Sequence, residues 1–239
     1  MSHSALEMTA ATMLRSLEQL NTIGQNIANV NTTAYKSRVS FNNVINTFDA
    51  TQNSVSNSDN ITQNISLLLS QGSPIQTHNP HHFMIDGDGF FVVNNSDGQQ
   101  LLTRNGTFQV NAAGILVTKD GKEVAGEMGS IRIPGDVTVD KNGTIWSEGE
   151  EIDQLTVVSV DTDQLIPETE GYFRMPASMN IADSEKYTVR QGMLENSNVN
   201  VQTEFTNLIT MMRQFEMQQK VVRGYDQMMN TGITTLGEF

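Results

Sequence analysis

Leu6, Met13, Leu20 and Ile27 recur at seven-residue intervals near the start of the chain, and Val201, Leu208, Phe215, Val222 and Met229 do so near its end. Ala10, Leu17 and Gly24 interleave with the first set and Phe205, Met212 and Gln219 with the second, so each segment approximates the a and d columns of a coiled-coil seam. The pattern predicts a helix at each end. Ser4 and Glu7 stand at capping-box spacing and mark the first start, while the polar run Asn31, Thr32, Thr33 stops that helix near Val30, because these side chains compete for backbone hydrogen bonds. Asn200 is placed to cap the second helix, with Glu204 favourably set in its first turn. Gln218 falls off the second seam in this reading.

Between the helices the pattern changes twice. Residues 37–80 are rich in Asn, Ser, Thr and Gln, broken by Phe41, Val44, Ile45 and Phe48 and by the short apolar run 65–69, and read as an extended connector. From Phe83 the period becomes two. Strands are predicted at 89–94, 99–104, 107–110, 115–119, 131–133, 137–139, 144–146, 155–160, 172–174 and 187–190, punctuated by turn dipeptides such as Asp97-Gly98, Asn105-Gly106 and Ala113-Gly114. Asp120-Gly121 and Asn142-Gly143 suit two-residue hairpin turns with positive φ at both central positions. Short strands without intervening helices predict a meander or small barrel-like domain. The expected fold class is therefore α+β: N- and C-terminal helices pairing as a coiled-coil-like domain, with a central all-β domain. The segments are 1–36 for the first helix, 37–80 for the connector, 81–192 for the β domain and 193–239 for the second helix.

Composition narrows the function. A net charge of −13 and a sequence pI near 4.6 disfavour wrapping a phosphate backbone, which relies on Lys and Arg releasing counterions, so no nucleic-acid partner is expected. Cysteine is absent, which removes disulfides and thiolate metal sites. No apolar run approaches the roughly 20 residues of a membrane helix. Glu7, Arg15 and Glu18 interrupt the start, so no cleavable leader is expected, and the chain either stays in the cell or leaves by a route that cleaves none.

Candidate chemistry is thin. His78, His81 and His82 invite a metal, but neighbouring residues on an extended chain point apart and Pro80 restricts the backbone. Asp86-Gly87-Asp88-Gly89 opens like a calcium loop, yet Phe90 and Phe91 stand where a ligand and the turn glycine belong. Glu148, Glu150, Glu151 and Asp153 could pair as glycan-cleaving carboxylates, although such a cluster also makes a solvated turn. No nucleophile elbow or phosphate loop is present. No catalytic residue, cofactor or metal is expected.

Longer motifs say more. Residues 26–36 (NIANVNTTAYK), 86–93 (DGDGFFVV), 103–118 (TRNGTFQVNAAGILVT), 194–200 (LENSNVN) and 215–222 (FEMQQKVV) stand in the order found in bacterial flagellar axial proteins. The chain resembles the rod proteins of the flagellar basal body, and FEMQQKVV together with the short lead into the β domain looks most like the proximal rod members. Asp226, Gln227 and Met228 resemble distal members instead, and residues 77–83 (THNPHHF) depart from the family's lead-in. Ala34 replaces the usual Gly after the Thr pair, so the backbone there is expected to avoid the left-handed region.

The resemblance implies a structural subunit that is exported through the flagellar type III apparatus and added to a helical stack in the periplasm, with copies of itself and other rod proteins as partners. The stack transmits torque and leaves an export channel. The terminal helices would form the inner tube and the β domain the outer layer. Assembly residues on this reading are Leu6, Met13, Leu17, Leu20 and Ile27, Asn31 in the motif after the first helix, and Phe205, Leu208, Met212, Phe215 and Val222. Pairing within one subunit would also satisfy the stripes. However, each ordered residue costs about 1 to 2 kcal/mol in backbone entropy against about 1.5 to 3 for each large side chain buried, so a lone pair has too little interior. Two alternatives of another class are a carbohydrate- or peptidoglycan-binding module exposing Phe90, Phe91 and Trp146, and a hydrolase using the acidic cluster.

Overall fold

The heptad spacing at the two ends gives two long helices, α1 (Ser2–Ala28) and α2 (Val201–Gly237). The structure, a computed structural model, describes residues 2–41, 64–160, 165–168, 171–174 and 187–237; the connector residues 42–63 and the Leu6 side chain lie outside the described set. α1 begins at Ser2, ahead of the Ser4 start expected. Asn200 caps α2 as expected: its side-chain oxygen accepts from the Thr203 N–H at 3.1 Å, and its carbonyl accepts from Glu204 N–H at 3.0 Å.

The chain divides into two units. One holds both helices and residues 38–66; the other holds 29–37 and 67–199. In the helical unit α1 and α2 run antiparallel, as Ser16 bonds Gln218 and Asn26 bonds Glu204. Arg38–Phe41 pairs with Asn64–Leu67, so part of the expected connector is strand.

The β unit is antiparallel throughout its described ladders, as expected of a chain that returns by short turns. Its largest sheet runs Ile166–Pro167, Tyr172–Arg174, Gln100–Thr103, Phe90–Asn94, Glu123–Gly126, Leu116–Thr118, Phe108–Val110, with short strands added alongside. A three-stranded sheet (Val137–Val139, Thr144–Ser147, Glu150–Gln154) and the pairs Phe83–Gly87 with Tyr187–Gln191 and Pro74–Gln76 with Met193–Glu195 complete it. The protein is thus α+β, with a many-stranded β region between two terminal helices.

The unbroken run Phe90 to Val93 has a physical reason. Phe91 and Val93 face one apolar cluster, with Phe83, Leu116 and Ile145, while Phe90 and Val92 face another, with Leu102 and Phe173. A strand covered on both faces needs no polar alternation. Phe91 packs edge-on to Phe108 at 5.3 Å and Phe90 to Phe173 at 5.5 Å.

The hairpins form where the turn dipeptides stand, with a different geometry from the one expected. Gly121 and Gly143 have φ of 82° and 86°, but neither Asp120 nor Asn142 is among the described residues with positive φ. The Gly121 N–H reaches the Thr118 carbonyl at 2.9 Å and the Gly143 N–H reaches Asp140 at 3.1 Å. These are type I turns closed by a left-handed glycine, one residue longer than the mirror-image turn.

Candidate assembly surface and the clasp in the β unit

Burial along the helices defines the seam between them. In α2 Val201, Glu204, Leu208, Met211, Phe215, Gln218, Val222 and Tyr225 are half-buried in steps of three and four, with Gln219 and Gly224 half-buried beside them. Of the a column read from the sequence, Val201, Leu208, Phe215 and Val222 are half-buried, whereas Met229 is 50% exposed. The second column lies one residue earlier than Phe205, Met212 and Gln219, so Gln218, expected off the seam, lies on it and accepts a hydrogen bond from the Ser16 hydroxyl at 3.2 Å.

In α1 the buried residues are Ser16, Ile23 and Asn26, and Thr9, Thr12 and Gln19 in the same columns are half-buried. The apolar stripe that stands out in the sequence is therefore rotated off the seam by about one residue, roughly 100°. Met13, Leu20 and Ile27 are half-buried on its flank, and Leu17 is 47% exposed. On α2, Phe205 and Met212 are 47% and 50% exposed, while Leu208, Phe215 and Val222 are half-buried against α1's side of the pair. Asn31 is exposed in the turn after α1.

The seam is polar on α1's side. Asn26, buried, donates to Glu204 Oε1 at 3.1 Å and to the Arg38 carbonyl at 2.9 Å, and accepts from Arg38 N–H at 2.9 Å. A buried amide with several fixed partners sets register better than it adds stability.

The β unit contains a second feature that periodicity could not reveal. Glu195 Oε1 accepts from Lys36 Nζ at 2.5 Å and from the Gly72 N–H at 2.9 Å, while Oε2 faces Arg104 at 3.6 Å. All three charged side chains are buried. Lys36 also donates to the Ser70 carbonyl at 3.0 Å, and Arg104 donates to the Gly87 carbonyl at 2.8 Å and lies over the Phe90 ring at 5.1 Å. Burial pushes the Lys36 ammonium below its ordinary pKa, against the Glu195 carboxylate, which works the other way; the same balance lowers Arg104.

Backbone contacts tighten this clasp. Ala34 N–H donates to the Glu195 carbonyl at 2.9 Å, and the Asn198 side chain accepts from Ser37 N–H at 2.7 Å while donating to the Leu68 and Ser70 carbonyls. Gly72 is needed because a Cβ there would collide with the Asn196 carbonyl. Ala34, expected to avoid the left-handed region, adopts it with φ 58°. That costs about 1 to 2 kcal/mol for a residue with a Cβ, and the hydrogen bond to Glu195 together with the burial of Ala34 holds it there.

Other candidate chemistry resolves into structure. Asp153 is buried and its Oδ1 accepts from the Met128 and Gln154 N–H groups, so it braces a hairpin; Glu148, Glu150 and Glu151 are exposed. His82 Nδ1 lies 2.9 Å from the Thr77 hydroxyl, and burial, then His81, lowers its pKa. Among the described residues no group of three or more His, Asp or Glu side chains is arranged to hold a metal. Phe90 and Phe91 are core residues, so of the aromatics suggested for a carbohydrate platform Trp146 alone is exposed.

Comparison with known proteins finds matches over both ends and the β region. Residues 6–36 match the family described as "Flagella basal body rod protein", residues 84–147 the "Flagellar hook protein FlgE/F/G D1 domain" and residues 190–236 the "Flagellar basal body rod FlgEFG protein C-terminal". Each matched segment supplies one charge of the clasp: Lys36, Arg104 and Glu195. The flagellar basal-body rod protein FlgG of Agrobacterium fabrum is 33% identical, covering 94% of this chain and 96% of its own length. FlgF of Rhizobium meliloti is 31% identical over 92% of each chain, and FlgF of Escherichia coli 31% over 66% of this chain and 69% of its own. With a fold that carries both matched helical ends and the matched β segment, the chain belongs to the flagellar basal-body rod protein family.

Proposed function

We propose that this chain is a structural subunit of the basal-body rod, built by self-assembly of its terminal helices into part of the periplasmic drive shaft and export channel. The observation that carries this reading is the helix pair itself: its seam is polar on one side, while large apolar side chains on its flanks stand open to solvent. Exposed apolar surface of this kind marks an interaction site. The step of three and four on both helices supports coiled-coil pairing of α1 with α2, and Leu6, Met13, Leu17, Leu20, Ile27, Asn31, Phe205, Leu208, Met212, Phe215 and Val222 are the assembly residues, some within the pair and some on its flanks.

The partners are copies of the chain and other rod proteins, and the route is the flagellar type III export apparatus. Its role is structural, with no catalysis. FEMQQKVV and the short lead into the β unit favour the proximal part of the rod. The test is location: a tagged chain, replacing its untagged counterpart, should be recovered in purified basal bodies at the cell-proximal end of the rod, and its deletion should abolish swimming. Recovery only as free protein outside basal bodies would overturn the reading.

A further inference from the structure

The antiparallel pair fixes which exposed residues lie together. Reversing one helix reverses the sense in which its positions run around the axis, so the columns immediately after the seam on both helices share a side of the pair, and the columns immediately before it share the other. On the first side lie Leu17 of α1 and Phe205, Ile209 and Met212 of α2, exposed by 47%, 47%, 52% and 50%. On the second lie Met8 of α1 and Val221 and Met228 of α2, exposed by 72%, 63% and 68%.

The bonds Ser16 to Gln218 and Asn26 to Glu204 also place these faces along the pair. On the first face Phe205, Ile209 and Met212 lie toward the N-terminus of α2, and Leu17, next to Ser16, lies near Gln218. The second lies toward the C-terminus of α2, where Met8 and Met228 come from the ends of the helices that run alongside one another.

We infer that the two faces are complementary halves of one contact between copies of this chain: the Phe205, Ile209, Met212 face of one copy packs on the Met8, Val221, Met228 face of the next. This rests on the proposed rod function and names the partner of the same surface. Every copy brings both faces, and both continue the edges of the seam already formed between α1 and α2, so a second copy extends an existing helix packing. Pairing each face with its own kind needs a two-fold axis between copies, which a stack whose copies all point the same way, as in the proposed rod, does not have. Pairing unlike faces covers both and, being heterologous, adds copies without closing a ring unless the rotation happens to close.

The chain contains no cysteine, so introduced thiols are the only ones it carries. Two differently tagged full-length variants, Ile209→Cys and Val221→Cys, both exposed in the free chain, are made together in flagellated cells in place of the unsubstituted chain. Purified basal bodies are then treated with a short bismaleimide. The expected product is a dimer carrying one tag of each kind, at several times the yield of either like pair. Like pairs in excess would overturn the inference, because faces would then meet their own kind. Crosslinks only to other rod proteins would also overturn it, while leaving the rod function standing. Absence of both tagged chains from the basal bodies would overturn the rod function itself, and with it this contact.

Discussion

Glu195→Ala is expected to remove about 3 to 5 kcal/mol from the stability of the β unit, because it leaves two buried cations without their anion. Among the described residues, Lys36 would keep only the Ser70 carbonyl, and Arg104 its carbonyl contacts and the Phe90 ring. The Gly72 N–H would lose its acceptor as well. Against a typical total of about 5 to 15 kcal/mol this loss is large. Urea unfolding followed through the single Trp146 measures it directly. Lys36→Met should cost less, since Glu195 keeps the Gly72 N–H and Arg104. A loss below about 1 kcal/mol for Glu195→Ala would mean that the network is too solvated to matter.

Phe215→Asp is expected to abolish incorporation into the rod while leaving the β unit folded. Phe215 sits mid-seam on α2, one heptad from Leu208 and Val222, and half-buried even in the single chain. A carboxylate forced into that seam costs at least about 1 to 3 kcal/mol per copy, and the cost recurs along a stack. Gln218 cannot serve as an unaffected control, because it bonds Ser16 in the seam. Gln227→Asp is the better comparison: residue 227 is exposed, on the side of α2 opposite the seam columns. Swimming, export of the variant and thermal unfolding of the purified chain separate the outcomes. Normal swimming with Phe215→Asp would remove Phe215 from the assembly residues.

The sequence shows the helices because a seven-residue repeat is a local property, and it shows the hairpins because Asp-Gly and Asn-Gly fix turns locally. It does not show which columns face the other helix of the same chain, because a helix can carry more apolar surface than one partner covers. Leu6, Met13, Leu20 and Ile27 make the strongest stripe, yet the pair closes on Ser16, Ile23 and Asn26, whose amide and hydroxyl partners come from distant residues. The stripe's period shows that a helix forms, and one helix alone does not show which way the stripe points. The clasp was hidden for a related reason: Lys36, Arg104 and Glu195 are single charges far apart in sequence, each inside a motif that marks the family, and nothing local says that they meet. Ala34 shows the same limit, since its left-handed backbone is imposed by the Glu195 carbonyl it bonds.

The central claim is that the helix pair is completed by neighbouring copies. Apart from Ile23, its α1 side contributes the polar Thr9, Thr12, Ser16, Gln19 and Asn26 to the seam, which bury little apolar surface, and short of such burial helices in water are only marginally stable. Amide hydrogen exchange across the same chain, free in dilute solution and within purified basal bodies, measures this directly. The account predicts that amides of α1 and α2 exchange much faster than those of Phe90–Asn94 in the free chain and become as slow as those strands in the basal body. Helices as protected as the strands in the free chain would contradict it, because the pair would then need no neighbour.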